Sequence, residues 1–283
     1  MSSRVRIFTD STCDLNEELL ERYQIEVVPL YVIFEEDSYQ DRVNIFASQL
    51  FDLVAHTGKL PKTAAPSPID FERAFAPYIE AGEDIVYIGL SSELSSTIQN
   101  AVIAAGNFPE DRITVIDSRT LSTGIGVLAV KAAQAALDGC SRTEIQSLVM
   151  SLTDKIEVSF IIDTLEYLHK GGRCSSVQHF IGSLLKIRPI VQVIDGKMQL
   201  TDKVRGKREK ALNQLLDNAL TMKADMDTDF MFITHAQAPE EAAYVKQQFE
   251  LQTNVKNVFL TETGCVVSSH CGPHTVGIVF AKK

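Results

Sequence analysis

Hydroxyl side chains cluster in the stretch over residues 84–106, DIVYIGLSSELSSTIQNAVIAAG, where an apolar run meets a helical pattern. Residues 85–90 are typical of a buried strand, and helical periodicity follows from Ile98. A helix N-terminus at this junction would present free N–H groups and a positive dipole end, which can hold a carboxylate or a phosphate. Alternatively, Ser96 only caps the helix and Gln99 completes a capping box. The hydroxyls concerned belong to Ser91, Ser92, Ser95, Ser96 and Thr97.

Two other chemistries could use the histidines near the end of the chain, His270 and His274. With two cysteines nearby they could bind zinc, but the pattern lacks a second ligand pair at zinc spacing, so we expect no metal. A Ser/His hydrolase would pair His270 with Ser95 or Ser92, although the chain has no G-x-S-x-G elbow. The chain has no Walker A motif and only a lone G-x-G, so ATP binding by this chain is not predicted.

Length and composition limit the class of protein. The 283 residues, 45% of them hydrophobic, fit two domains of about 100–150 residues each. No apolar run reaches the ~18 residues that a membrane span needs, and the first residues do not resemble a signal peptide. Five scattered cysteines without a C-x-x-C pair fit a reducing compartment, so we expect a cytoplasmic protein. A formal charge of −10 argues against a nucleic-acid partner.

The elements that must position the hydroxyls repeat the order strand, hydroxyl-rich turn, helix. Strands are predicted over residues 5–9, 85–90 and 113–117, and each is followed at once by Ser and Thr residues. This order predicts βαβ units and a mostly parallel sheet. In such sheets ligands bind beyond the carboxyl ends of the strands, so the three turns should share one rim.

Capping residues predict where several helices of this first part begin. Asp14 is expected to cap a helix over residues 15–23, and Ser67 a helix over 69–81, with Pro68 at the first helical position. A strand is predicted over residues 27–34, where Pro29 favours an edge or a bulge. The remaining predicted helices of this part cover residues 45–56 and 124–137.

A second domain is predicted to begin after a helix over residues 143–152. It should contain a β-hairpin whose turn is Asp195-Gly196. Its other predicted strands cover residues 158–163, 230–234, 258–261 and 276–281, and its helices 164–169, 180–185, 208–222 and 239–252. Residues 186–210 carry eight basic and three acidic side chains, a local charge of +5. Such a run fits either a solvated face or a surface that steers a partner of opposite charge.

Motifs along nearly the whole chain, in this order and spacing, resemble those of the DegV family. These are bacterial fatty-acid-binding proteins whose best-understood members are the FakB subunits of fatty acid kinase. The motifs are Asp10-Ser11-Thr12 with Asp14, Val28-Pro29-Leu30, Tyr39 with Asp41, Lys62-Thr63, Pro66-Ser67-Pro68, Ser91-Ser92-x-Leu94-Ser95-x-Thr97, Asp117-Ser118, Asp163-Thr164-Leu165-x-Tyr167-Leu168, Gly171-Gly172-Arg173, Leu185-Lys186-Ile187-x-Pro189-Ile190, Asp195-Gly196, Lys203-Val204-Arg205-Gly206 and His270-x-Gly272-Pro273.

The resemblance implies two α/β domains, residues 1–155 and 156–283, with one long-chain fatty acid between them. The first would hold a mostly parallel sheet with flanking helices, and the second an α/β sandwich. The fatty-acid carboxylate would bind Thr63, Ser95 and His270, with Ser11, Ser92 and Ser96 as further head-group candidates. Candidates for lining the acyl tunnel, all of which also fit an ordinary core, are Val32, Phe160, Ile162, Ile181 and Leu184.

The resemblance also implies that the chain performs no chemistry itself and needs no cofactor. A separate ATP-dependent kinase would phosphorylate the bound carboxylate for phospholipid synthesis, docking at Arg173 and Arg205. The alternative is a lipid or acyl-ester hydrolase. The sequence favours a monomer but does not determine the oligomeric state, the kinase or the preferred chain length and saturation. Four positions depart from the family pattern near the head group, namely Ala64, Ala65, Ser96 and His274.

Overall fold

The computed structural model describes residues 4–174 and 187–283. In the first part of the chain the strands are β1 (Val5–Asp10), β2 (Ile25–Val28), β3 (Tyr31–Phe34), β4 (Asp37–Gln40), β5 (Lys62–Ala64), β6 (Asp84–Gly89) and β7 (Ile113–Asp117). The helices of the same part are α1 (Glu17–Tyr23), α2 (Ala47–Thr57), α3 (Pro68–Glu80), α4 (Thr97–Ala105), α5 (Thr123–Leu137) and α6 (Arg142–Thr153).

In the second part the strands are β8 (Ile156–Ile161), β9 (Ile187–Ile194), β10 (Lys197–Arg205), β11 (Phe230–Ala236), β12 (Asn257–Glu262) and β13 (Thr275–Ala281). The helices are α7 (Glu166–Gly171), α8 (Arg208–Leu220), α9 (Pro239–Gln252) and α10 (Cys265–Cys271). The predicted helix over residues 180–185 lies outside the described residues. Within the part of the chain that is described, no helix is long and apolar enough to cross a membrane.

Three sheets organise these elements. A parallel sheet has the strand order β2-β1-β6-β7, so the turns after β1, β6 and β7 meet at one rim, as predicted. A six-stranded sheet has the order β10-β9-β8-β13-β11-β12, in which only β11 and β12 pair in parallel. The third sheet, β4-β3-β5, is small and antiparallel. The mixed α/β class with a parallel N-terminal sheet is therefore confirmed.

Helix α5 lies between the two large sheets and contacts β1 of the parallel sheet as well as β8, β11 and β13 of the mixed sheet. Eleven of its fifteen residues are buried, which is the pattern of a helix that packs on all sides. Two glycines allow α5 to pack closely on both sides. A Cβ at Gly126 would lie 3.0 Å from the carbonyl oxygen of Cys13, and a Cβ at Gly124 would lie 2.9 Å from the Val158 side chain on β8. One hydrophobic core consequently runs from the parallel sheet through α5 to the mixed sheet.

Three local predictions were wrong. The predicted strand over residues 27–34 breaks at Pro29 into β2 and β3 of different sheets, and the N–H of Leu30 donates to the Ser11 hydroxyl at 3.1 Å. Asn16 rather than Asp14 caps α1. Ser96 occupies the N-cap position of α4 without a capping bond from its side chain. Asp14 and the residue after Pro29 instead make contacts with distant parts of the chain, namely with Gly264 and Ser11.

Candidate fatty-acid-binding site

A cavity of about 350 Å³ lies between the mixed sheet and the turns that follow β1, β6 and β7 of the parallel sheet, and the small sheet, α7 and α10 complete its wall. This volume is at the lower end of the range for small-molecule sites. Most of the wall is apolar, so the cavity suits a hydrocarbon chain rather than a polar metabolite. The apolar side chains are those of Leu30, Ala64, Ala65, Leu90, Leu94, Leu121, Val158, Phe160, Leu168, Met198, Val266, Val267, Cys271 and Val279.

Thr63 and His270 meet in the cavity wall, although 207 residues separate them in the chain. Thr63 lies on β5, which pairs with β3 at the edge of the small sheet. His270 lies in the last turn of α10, which belongs to the second part of the chain. The Thr63 Oγ1 and the His270 Nε2 are 2.9 Å apart, a hydrogen bond between the two parts of the molecule.

Burial controls the charge of His270. Loss of solvent around the imidazole, reinforced by the positive charge of Arg173, lowers its pKa from 6.5 to about 4. The ring is therefore neutral near pH 7 and carries one proton. Within the described residues its Nδ1 has no hydrogen-bond partner, and it packs against Gly171, where a Cβ would lie only 2.3 Å away. If Nε2 carries the proton, it donates to Thr63 and leaves the threonine hydroxyl proton free for a ligand.

Ser95 and Ser96 also line the cavity, at the start of α4. The Ser95 hydroxyl lies 2.8 Å from the Thr97 hydroxyl and accepts a longer bond, 3.3 Å, from the Thr97 N–H. When Thr97 donates the hydroxyl bond, the Ser95 proton is free to point at a ligand. Thr63, Ser95 and His270, the three residues that the DegV resemblance suggests for the carboxylate, thus all line one cavity.

Arg173 lines the cavity from its exposed mouth. Its guanidinium donates to the carbonyl oxygen of Gly171 at 2.7 Å and, weakly, to that of Leu94 at 3.5 Å. These bonds tie the end of α7 to the turn after β6. The opening of the cavity therefore carries a positive charge a short distance from His270.

Comparison with known proteins agrees with this geometry. Residues 4–283 match the family model named DegV. The chain belongs to the DegV family. A DegV domain-containing protein of Caldanaerobacter subterraneus is 33% identical over 280 residues, 99% of each chain.

Two solved structures share the whole fold. A fatty-acid-binding DegV family protein from Thermus thermophilus superposes with a TM-score of 0.92 at 30% identity and covers 99% of this chain and 100% of its own. A stearic-acid-binding protein from Eubacterium ventriosum superposes with a TM-score of 0.89 at 26% identity, covering 99% and 98%.

The remaining residues suggested by the DegV resemblance lie in several places. Phe160 on β8 lines the cavity, whereas Val32 and Ile162 belong to the hydrophobic core. Ser11 is buried beneath the third sheet, bonded to the N–H of Leu30. Ser92 is exposed and donates to Asp117 at 2.5 Å. Ile181 and Leu184 lie outside the described residues, and Arg205 is exposed at the end of β10.

The departures from the DegV pattern concentrate at the cavity. Ala64, Ala65 and Ser96 all line it, so the two alanines make the wall beside Thr63 apolar where the family usually has polar side chains. His274 lies apart from them. It is exposed, has a positive φ of 58°, and accepts a hydrogen bond on its carbonyl oxygen from Arg208.

Neither alternative chemistry finds support in this geometry. The Ser95 hydroxyl bonds to Thr97, His270 bonds to Thr63, and no described carboxylate orients the imidazole as hydrolysis would need. An imidazole with a pKa near 4 is also a weak general base at neutral pH. Over residues 4–174 and 187–283, no group of three or more His, Cys, Asp or Glu side chains could hold a metal ion.

Sequence reasoning missed α10 and most of the apolar wall. Helix α10 is seven residues long and begins after Gly264, so it is too short to show clear periodicity. Leu30 and Leu94 lie in motifs shared with the DegV family, and these motifs are the only sequence feature that could have pointed to them. Met198 and Val266 carry no signal of their own, because core and cavity wall both require apolar side chains.

Proposed function

We propose that this protein binds one long-chain fatty acid between its two large sheets and presents the carboxylate to a separate ATP-dependent fatty acid kinase. The kinase would form an acyl phosphate for phospholipid synthesis, and the protein itself would act as a carrier without catalysis. The observation that carries the proposal is an apolar cavity whose polar wall holds Thr63, Ser95 and His270. Fatty-acid binding by relatives of the same fold supports it.

The apolar wall accounts for affinity. A long-chain fatty acid has about 15 methylenes, and burial of each contributes about 0.8 kcal/mol, or roughly 12 kcal/mol for the tail. Part of this gain is offset by the freedom that the ligand loses on binding. The remaining free energy is enough for tight binding without an ion pair. A polar wall such as that of a sugar-binding site could not supply it.

The head-group residues account for orientation. A buried carboxylate without donors would cost several kcal/mol, so the ligand should place its acidic end against Thr63, Ser95 and His270. The two hydroxyls would donate to the carboxylate, and the Nε2–H of the neutral imidazole would be shared between Thr63 and the ligand, so no salt bridge would shield the carboxylate oxygens. Such donors suit a site from which the carboxylate must later react.

The kinase partnership rests on the family resemblance and on charge. Arg173 and Arg205 are both exposed, and Arg173 stands at the cavity mouth. The chain as a whole carries a formal charge of −10, so the positive charge of Arg173 at the opening contrasts with the net charge of the molecule. A partner with an acidic face would be attracted to this side of the molecule.

Organic extraction and mass spectrometry of the purified protein test the ligand. We expect a long-chain fatty acid in near-equal molar amount, and after delipidation the protein should rebind the same acid. Addition of the kinase and ATP should then give the acyl phosphate. An empty protein that hydrolyses p-nitrophenyl esters would overturn the proposal in favour of the hydrolase.

A further inference from the structure

Two buried carboxylates from the first part of the chain meet the start of α10 in the second part. The Asp41 Oδ1 accepts the N–H of Cys265 at 2.6 Å, and its Oδ2 accepts the N–H of Val266 at 3.4 Å. The Asp14 Oδ1 accepts the N–H of Gly264 at 2.7 Å. The first N–H groups of a helix have no partners within it, so these carboxylates supply the missing acceptors.

Further hydrogen bonds hold both aspartates in place. The Asp14 Oδ2 accepts the Ser122 hydroxyl at 2.5 Å, which ties it to the first turn of α5. Asp41 follows β4, and its N–H donates to the carbonyl oxygen of Leu30 at 2.9 Å. Asp14 is fully buried and Asp41 is 1% exposed, so neither can move aside into solvent.

The fit at this contact is tight. A Cβ at Gly264 would lie 2.8 Å from the Asp41 Oδ2 and 3.0 Å from its Oδ1, closer than real Cβ atoms come. Glycine at this position therefore lets the helix start approach the carboxylate.

The other end of α10 carries His270. A seven-residue helix is about 10 Å long, so a shift or tilt at its start moves the imidazole by a comparable amount. The Thr63–His270 distance of 2.9 Å leaves little room for such movement before the hydrogen bond is lost.

We propose that Asp41 and Asp14 are positioning residues for His270, which by capping the start of α10 hold the imidazole at its far end against Thr63. The inference rests on the proposed function, in that His270 matters here as part of the carboxylate site. Neither aspartate is among the residues that line the cavity. They act on the site through the placement of the helix.

The test compares Asp41→Ala and Asp41→Asn with the wild type, using histidine-selective ¹⁵N labelling and a spectrum of the imidazole nitrogens of the ligand-free protein. The His270 signal is assigned by its loss in His270→Gln. The Asn side chain keeps one oxygen for the N–H of Cys265, so the conservative variant should restore part of what Ala removes. Fatty-acid affinity of the same proteins is measured in parallel.

Ser141→Ala is the matched control. The Ser141 hydroxyl accepts the N–H of Glu144 at 3.4 Å and so caps the start of α6, which packs on α5, β6 and β7. This variant removes a helix cap away from α10, so its His270 signal should stay where it is. Thermal unfolding of every variant shows whether the chain still folds.

We expect the His270 signal to move most in Asp41→Ala, less in Asp41→Asn and not in Ser141→Ala. Fatty-acid affinity should fall about tenfold in Asp41→Ala. A folded Asp41→Ala with an unchanged His270 signal overturns the proposal. If Asp41→Ala does not fold, Asp41→Asn decides by the same signal. A wild type that binds no fatty acid contradicts the proposed function instead, because the nitrogen signals are read without ligand.

Discussion

His270 joins the two parts of the molecule at the polar end of the cavity through its 2.9 Å bond to Thr63. Its pKa of about 4 keeps the imidazole neutral over the physiological range, so in the proposed complex this residue would hold the carboxylate by a hydrogen bond rather than by charge. A neutral imidazole would leave the carboxylate oxygens of the ligand less shielded than an arginine would. A site built to present a carboxylate benefits from it.

Removal of single donors should weaken ligand binding. Ser95→Ala and His270→Ala are each expected to lower fatty-acid affinity by about 1.5–3 kcal/mol, the range for hydrogen bonds to a charged group. Displacement of a fluorescent fatty acid measures the change. Ser92→Ala is the control, since Ser92 is exposed and bonded to Asp117. Unchanged affinity in both site variants would remove these residues from the site.

The depressed pKa of His270 predicts how stability depends on pH. The unfolded chain takes up a proton near pH 6.5, whereas the folded protein does so only near pH 4. The free energy of unfolding of the wild type should therefore rise from pH 4 to pH 6.5, relative to that of His270→Gln. Urea unfolding at several pH values measures it. Parallel curves for the two proteins over this range would contradict the pKa.

Asp14 predicts the opposite slope. Burial, with a smaller contribution from the charge of Asp41, raises its pKa from 3.8 to about 7, although the charge of Arg42 and the bonds from Gly264 and Ser122 oppose the shift. Ionisation of the folded protein is thus unfavourable. Relative to Asp14→Asn, wild-type stability should fall as the pH rises from about 4 to about 7. Denaturant midpoints across this range check it, and a flat difference would argue against the raised pKa.

At the scale of elements, α7 and α10 pack so closely that a glycine is required between them. A Cβ at Gly171 would lie 2.3 Å from the His270 Nδ1. Gly171→Ala should displace the imidazole and lower fatty-acid affinity about as much as His270→Ala does. Gly106→Ala is the control, because its Cβ would come no closer than 3.4 Å to the carbonyl oxygen of Ile103. Equal affinity of both variants for fatty acid would show that the ring can move without loss.

The repeated strand, hydroxyl-rich turn and helix could be predicted from the sequence, because each signal is local and the parallel rim follows from topology. Asp14 and Pro29 were misjudged because their roles depend on distant partners. Asp14 is of a residue type that commonly caps helices, but its carboxylate accepts a hydrogen bond from the N–H of Gly264, 250 residues away. At Pro29 the chain leaves one sheet for another, which no local pattern reveals.

At the scale of the whole molecule, the head-group residues could be named in advance only through family motifs. Thr63 and His270 are far apart in the chain, and nothing in their spacing predicts a contact. The residues that form the apolar wall of the cavity were even harder to predict. All three candidates Phe160, Val32 and Ile162 are apolar, so their residue types do not distinguish a cavity wall from a core. Only the packed structure shows that Phe160 lines the cavity whereas Val32 and Ile162 do not.

Docking of the proposed kinase would also depend on the charge of the whole surface. Arg205→Ala should leave fatty-acid binding intact but slow acyl phosphate formation, and more so at low salt, because screening weakens attraction between exposed charges. Initial rates with the kinase at several ionic strengths measure this. Arg22→Ala, which removes an exposed arginine paired with Glu18, is the control. Equal slowing at every salt concentration would contradict electrostatic steering.

Helix α5 belongs to the first part of the chain by sequence, yet its side toward β8, β11 and β13 has no cover except the second part. A fragment ending near residue 155 would therefore expose a hydrophobic surface of α5, and we expect it to aggregate rather than fold as an independent unit. Cutting the gene there would yield inclusion bodies instead of a half-protein for crystallography or binding assays. Truncated versions of this protein need to keep both large sheets that pack against α5.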